Sequence, residues 1–201
     1  MMPSTSEHVM PGFQDPALGP QAVFRELLKG MSHPGRILSM PPVFDTPPPG
    51  LDPAAAAVCL TLLDGDTPLW TDLDGASPAL AWLRFHCGCP LVEDAGRALF
   101  GLAAAAQQRL PSLEAFRPGS HEAPETAATV ILQVEALVAA RGGTLSGPGI
   151  PDRRSLEVVG LPPGFWEQRR RMCSAFPLGL DIILVCGAQL AVLPRSTRVE
   201  V

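Results

Sequence analysis

Ala128-Thr129-Val130-Ile131-Leu132-Gln133-Val134-Glu135-Ala136-Leu137-Val138 carries the strongest β signal in this 201-residue chain, a run dense in branched aliphatic side chains. Such residues pack well on a pleated, buried surface, so the run predicts a central strand. A second strand is expected around Thr144, set apart from the first by Gly142-Gly143, with a short third strand over Leu156 to Val159. Downstream, Asp181 to Cys186 and Gln189 to Leu193 flank Gly187-Ala188 and read as a closing hairpin.

Upstream of this β-rich half the pattern changes period. Pro20 suits the first position of a helix, and Val23, Phe24, Leu27, Leu28 and Met31 follow as an apolar stripe. Ser32-His33-Pro34-Gly35 ends that helix, and Arg36 to Ser39 can form a short strand. Asp52 is a plausible N-cap, with Pro53 opening a second helix. Leu69 to Thr71 predicts a strand, and Ser77-Pro78 caps a third helix through Leu83 that stops before Cys87-Gly88-Cys89-Pro90. Arg97 to Leu102 is another strand candidate. The segment from Ala104 to Phe116 is helical but broken by Pro111, and a last helix is expected over Gly164 to Phe176. Helices and strands alternate early and strands dominate late. The expected architecture is therefore α/β, a mixed β-sheet flanked by helices, with residues 1–19 as an extended proline-rich arm and 20–201 as one α/β domain.

Composition excludes several classes. The chain is 46% hydrophobic and 17% charged, where about 25% charged is usual, so disorder is disfavoured and a partly covered surface is suggested. A net charge of −5 argues against a dedicated nucleic-acid binder. Lys29 is the only lysine, so any Schiff-base chemistry must run through that amine. Five cysteines, an odd number, do not form a disulfide framework and read as reduced thiols. The first twenty residues lack an apolar export core, and Leu180 to Leu193 is too short and too polar to span a bilayer, so a soluble, cytoplasmic protein without membrane contact is expected.

Each chemical motif competes with a structural reading. His86-Cys87-Gly88-Cys89 offers one ligand pair where zinc commonly takes two, and buried small hydrophobes with a packed, hydrogen-bonded His86 is the preferred reading. Asp64-Gly65-Asp66-Thr67-Pro68 could bring two carboxylates together, yet its composition is that of a turn. Gly142 to Gly149 lacks the lysine and the spacing of a phosphate cradle. Bases concentrate in Arg153-Arg154 and Arg169-Arg170-Arg171, read as solvated faces in preference to an anion site or an acidic partner's contact. No self-contained catalytic or metal constellation emerges.

Several segments in order carry a family pattern. Gln21-x-x-Phe24-Arg25-x-Leu27-Leu28-x-x-Met31-Ser32-x-Pro34-Gly35 is followed by Thr61-Leu62-Leu63-Asp64-x-Asp66-Thr67-Pro68-x-Trp70 and Leu83-Arg84-Phe85-His86. Then come Pro124-Glu125-x-x-Ala128-Thr129-x-Ile131-Leu132-Gln133-Val134, Gly147-Pro148-Gly149-Ile150 and Phe176-Pro177-Leu178-Gly179-x-Asp181. Pro194-Arg195-x-Thr197-x-Val199 closes the series. Together they resemble the H subunit of the bacterial carbon–phosphorus lyase complex.

The resemblance implies organophosphonate catabolism. With G, I and L subunits, such a protein supports exchange of the adenine of ATP for a phosphonate, giving α-D-ribose 1-methylphosphonate 5-triphosphate. It also implies a stable core with the G, I and J subunits and a homodimer when isolated. The implied fold is similar to the large domain of PLP-dependent transferases but without PLP, ATP being substrate of the complex and no cofactor or metal being held by this chain. No catalytic residue is carried over by the resemblance. A structural or accessory subunit is the first expectation. The alternative is a subunit lending Arg84, His86 and Arg195 to a shared phosphonate or nucleotide pocket, since guanidinium forks match phosphate geometry. An autonomous anion-binding protein is a third reading.

Overall fold

A computed structural model describes residues 10–200. The first nine residues of the expected arm and Val201 lie outside the described residues. A six-stranded sheet is ordered β1-β8-β7-β4-β3-β2, with β1 Leu38–Ser39, β2 Leu69–Thr71, β3 Phe100–Ala103, β4 Thr129–Gln133, β7 Asp181–Cys186 and β8 Gln189–Leu193. A second sheet of three strands is ordered β6-β5-β9, from β5 Ala136–Ser146, β6 Arg154–Val159 and β9 Arg198–Glu200. The mixed, helix-flanked α/β architecture read from the sequence is present, with this second sheet in addition.

Strands β2, β3, β4 and β7 run parallel, and Leu69, Phe100, Thr129 and Asp181 lie side by side along one row. The expected hairpin of β7 and β8 is antiparallel, pairing Ile182 with Leu193, and β1 adds antiparallel to β8. Because side chains alternate across a strand, Ile131, Ile183, Val185, Leu190 and Val192 enter one apolar layer, while Val130, Leu132, Ile182, Leu184 and Leu193 enter the other. The first layer is completed by α1 Leu18–Ser32, α2 Pro53–Leu62 and α3 Pro78–Cys87. The small sheet, α5 Phe165–Cys173, Leu113 and Phe116 complete the second. Strands covered on both faces must be apolar at every position, which is why β4 and β7 read as continuous runs.

The central run is two strands, not one. Val134 N–H donates to Val185 O of the large sheet, and Glu135 N–H donates to Val159 O of the small one. The chain thus changes sheets between adjacent residues, and since both halves face apolar layers the change leaves no trace in hydrophobic pattern. Conversely, the glycines at 142 and 143 do not separate two strands. Gly142 belongs to a bulge inside β5 over residues 140–142, and Gly143 resumes the ladder opposite Leu156. Gly142 has φ +75°, and a Cβ there would lie 2.6 Å from Glu157 Cα.

Local signals mostly place the helices. Helix α1 starts at Leu18, inside the segment expected to be arm, because Asp15 Oδ1 accepts the N–H groups of Ala17 and Leu18, each at 2.8 Å. Those two amides hold the Asp15 carboxyl below the usual range, Leu18 first. Pro20 then falls in the first turn, where its missing N–H costs nothing. Ser77 Oγ caps α3 by accepting from Leu80 N, and the helix runs to Cys87, past the expected stop, ending at left-handed Gly88. Asp52 occupies the N-cap position of α2, but its side chain makes no capping bond and instead accepts from Gly187 N at 2.8 Å, tying the helix to the β7–β8 turn. The segment after β3 holds one helical turn, α4 Ala106–Arg109, and a 3₁₀ turn after Pro111.

Candidate subunit interface

In open α/β sheets the customary place for ligand chemistry is the carboxyl end of the parallel strands. Here that end is bordered by a polar cleft of about 310 Å³ lined by Asp52, Gln133, Glu135 and Ala104 to Gln108. Asp52 and Gln133 of this lining, and Asp72 nearby, are engaged with the chain itself. Asp72 beyond β2 accepts Ala104 N at 2.7 Å on one oxygen and Ala105 N at 2.8 Å on the other. Gln133 accepts Asp52 N at 2.6 Å, while its amide donates to Gly50 O and Ala104 O, each at 3.3 Å. Asp52 holds Gly187, and Glu135 adds a further carboxylate rather than an anion-binding base. The hydrogen bonds bind loops to strand ends and leave no convergent nucleophile, base and anion donor.

The three residues weighed as pocket candidates do not meet. Arg84 and His86 stand two residues apart on α3 and so face different ways. His86 Nε2 donates to Met10 O at 2.9 Å, which requires a proton on that nitrogen, and its ring packs on Trp82 and Phe85. Trp82 Nε1 donates to Pro11 O, and Phe13 stacks on Phe44 at 5.3 Å. Residues 10–17, expected to extend as an arm, are thus a strap across their own α2–α3 face. Replacing His86 with Ala should cost about 0.5–1.5 kcal/mol and speed protease cleavage near Met10 without unfolding the domain, checked by limited proteolysis beside a thermal midpoint. Unchanged cleavage would show that His86 does not anchor the strap.

Arg195 is bound elsewhere, in a clamp at the amino end of β7. Its Nη2 contacts Asp181 Oδ2 at 2.5 Å, its backbone N–H donates to Asp181 Oδ1 at 2.7 Å, and Nη1 donates to Pro124 O. Arg84 makes no ion pair among the described residues and borders a groove of about 560 Å³ beside β2, with Trp70 and Glu93.

The remaining motifs are structural. Asp64 Oδ1 accepts Asp66 N at 2.9 Å, and Thr67 Oγ1 accepts Asp64 N, closing a turn. Cys59, Cys87 and Cys89 are buried in one apolar layer, which unites residues the sequence separates. Burial, reinforced by neighbouring Cys89, pushes the Cys59 thiol well above its ordinary range. The triple-arginine run is divided: Arg170 and Arg171 are exposed and pair with Glu167 and Glu114, whereas Arg169 is 1% exposed. The expected solvated face therefore does not include Arg169, whose guanidinium donates to Leu180 O, Leu193 O and Pro194 O at the open end of the β7–β8 hairpin.

What the sequence reading missed is the orientation of α1. Val23 and Leu27 are buried, burial worth roughly 1.5–3 kcal/mol per side chain, and Gly30 lets the helix sit close on β8. A Cβ at Gly30 would come within 2.5 Å of Val192 Cγ2. The rest of the expected stripe faces outward, Phe24 46% exposed, Leu28 52% and Met31 40%, and Leu18, in the segment expected to be arm, is 63% exposed. These are four of the seven large hydrophobic side chains that stand exposed among the described residues, gathered on one helix. A signal was available, because residues 23, 24, 27, 28, 30 and 31 cover an arc of roughly 160° at 3.6 residues per turn, wider than one buried stripe needs.

Together these features define a class: an α/β protein that presents an uncovered apolar helix face and, among its described residues, no converging catalytic side chains. The chain belongs to the bacterial phosphonate metabolism protein (PhnH) family, whose model matches residues 11–200. It is 33% identical over 207 residues to the alpha-D-ribose 1-methylphosphonate 5-triphosphate synthase subunit PhnH of Rhizobium meliloti (strain 1021), covering 99% of each chain. It is also 38% identical over 181 residues to the putative C-P lyase subunit protein HtxG of Stutzerimonas stutzeri, covering 90% of this chain and 85% of that one.

Proposed function

We propose that this chain is an accessory subunit of a carbon–phosphorus lyase assembly, supporting the transfer of the ribose triphosphate moiety of ATP to methylphosphonate. Its relatives' names place them in that assembly and that synthase. The observation that carries the accessory role is the carboxyl end of the sheet, where Asp52, Asp72 and Gln133 are all engaged with backbone groups. The partners in this reading are the G, I and J subunits and, functionally, L, with a homodimer when the chain is isolated. A cytoplasmic setting follows from the reading, and no helix among the described residues is long and apolar enough to cross a membrane.

The reading includes a fold akin to the large domain of PLP-dependent transferases that works without PLP. The position of the sole lysine favours this. Lys29 lies on the exposed side of α1 with its Nζ 2.5 Å from Glu26, remote in the fold order from the strand ends where an aldehyde cofactor would need an amine.

Co-expression of the chain with its G, I and J counterparts tests the proposal. A stoichiometric complex is expected, and failure to co-purify overturns it. One observation favours a second reading: Arg84, without an ion-pair partner among the described residues, has a guanidinium available for a phosphate. In the intact complex, with L supplied, Arg84→Ala should leave synthase turnover within about twofold if the role is accessory. A loss of tenfold or more with normal assembly would support the shared-pocket reading instead.

A further inference from the structure

We infer that Cys87 and Cys89 form a reversible dithiol site, closing to a disulfide across Gly88 when a hydroperoxide oxidises Cys89 and Cys87 resolves the product. The pair keeps its place in the apolar layer while reduced, and the inference stands independently of the accessory-subunit reading.

Helix α3 ends at Cys87, and the left-handed Gly88, φ +64°, turns the chain before Cys89. Nothing lies within 4 Å of a Cβ placed at Gly88, so backbone conformation and not space calls for glycine there. The turn leaves the Cys87 thiol within hydrogen-bonding reach of the Cys89 sulfur. The third thiol of the layer, Cys59, is enclosed at 0% exposure, and its carbonyl oxygen lies 3.8 Å from Cys87 Sγ. Cys87 and Cys89 keep 9% and 5%, so of the three only this pair retains contact with solvent. Among the described residues no group of three or more ligands is arranged to hold a metal ion, which leaves the two sulfurs as each other's partner.

The contact between the sulfurs sets the order of reaction. By donating to the Cys89 sulfur, Cys87 holds Cys89 below the usual thiol range, against burial and the nearby Asp64 carboxylate, while the Cys87 thiol itself is pushed well up. Cys89 is therefore the thiolate and the nucleophile. Its sulfur attacks one peroxide oxygen: the O–O bond breaks, an S–O bond forms, and the departing oxygen takes up the proton that Cys89 gave up, leaving as water or an alcohol. The Cys87 sulfur then attacks the sulfur of that sulfenic acid, the S–O bond breaks, and the Cys87 proton leaves with the hydroxyl as water. Two thiols thus lose two electrons and two protons, and the hydroperoxide is reduced. A loop this short constrains the unfolded chain least, so the bridge adds little stability and a dithiol reductant reopens it. Transient bridges are the kind that reducing compartments allow.

In the test the full chain is reduced, exposed to a slight excess of hydrogen peroxide, then unfolded, alkylated and mapped by mass spectrometry. The peptide holding both residues should lose two hydrogens and escape alkylation, regain both thiols with dithiothreitol, and leave Cys59 alkylated. Cys87→Ser should trap Cys89 as the sulfenic acid, captured by dimedone, and Cys89→Ser should slow oxidation at Cys87 about tenfold or more. Circular dichroism checks that each variant is folded, and the mapping of the unaltered chain decides the pairing without them. The inference is overturned if Cys173 and Cys186, both more exposed, are oxidised while Cys87 and Cys89 remain thiols, or if the bridge takes in Cys59. Oxidation at Cys87 in Cys89→Ser as fast as bridge formation in the unaltered chain overturns the role given to Cys89.

Discussion

Replacing Arg169 with Ala should cost about 3–5 kcal/mol of folding stability, a large part of the 5–15 kcal/mol that domains usually have. The guanidinium donates to Leu180 O at 2.5 Å, to Leu193 O at 3.0 Å and to Pro194 O. These carbonyls flank the start of β7 and the end of β8, so one side chain from α5 holds both ends of the hairpin. Burial disfavours the charged form and pulls the arginine pKa down, while Cys173 and Asp181 nearby oppose that pull. Truncation removes the donors, though Pro194 O keeps the N–H of Thr197, and each buried carbonyl left unpaired is worth roughly 1–3 kcal/mol. Arg169→Lys should recover only part of the loss, because an ammonium cannot span the same fork. Urea unfolding is the measurement. A loss below about 1 kcal/mol for Arg169→Ala would show that water or neighbouring groups satisfy the carbonyls, and that α5 is not pinned by this residue.

Removing Asp181 should be the next most damaging change, costing about 2–4 kcal/mol after allowance for the partial exposure of its partner. Asp181 and Arg195 side chains are 11% and 17% exposed, and the carboxylate binds both the guanidinium and the backbone N–H of Arg195. Asp181→Ala strands a nearly buried charge and a main-chain donor together. A double-mutant cycle with Arg195→Ala should give a coupling above about 1 kcal/mol. The same cycle separates structure from ligand binding at Arg195. If Arg195→Ala leaves stability unchanged but abolishes synthase turnover in the assembled complex, its guanidinium serves a ligand and not the clamp.

Neither clamp was legible in the sequence. Arg169 sits in a run with Arg170 and Arg171, and three adjacent arginines on a helix look alike until the helix is docked. With successive residues about 100° apart, only one can face the core, and the position of the β7–β8 ends decides which. Phe165, four residues earlier and also buried, marks the same face. Arg195 carried the right residue type for an anion site, but Asp181 lies on the strand beside it in space and fourteen positions away in sequence. His86 followed its packed, hydrogen-bonded reading, although its partner, Met10 O, lies in a segment that composition alone marks only as a loop.

Composition and order by themselves determined the α/β class, the β7–β8 hairpin, the short strands β1, β2 and β3 near their observed positions, and the turn role of Asp64 to Thr67. These follow from local physics: periodicity, caps and turn chemistry act within a few residues and are written where they act. The motif series also determined the family. Only the tertiary structure decided that the Ala128 to Val138 run divides between two sheets, that Arg169 is a buried clamp, and that Phe24, Leu28 and Met31 face outward while Val23 and Leu27 face the core. Each of these depends on which surface a neighbouring element covers. An apolar side chain has the same identity whether its own chain covers it or leaves it exposed, and only the packing around α1 tells the two apart.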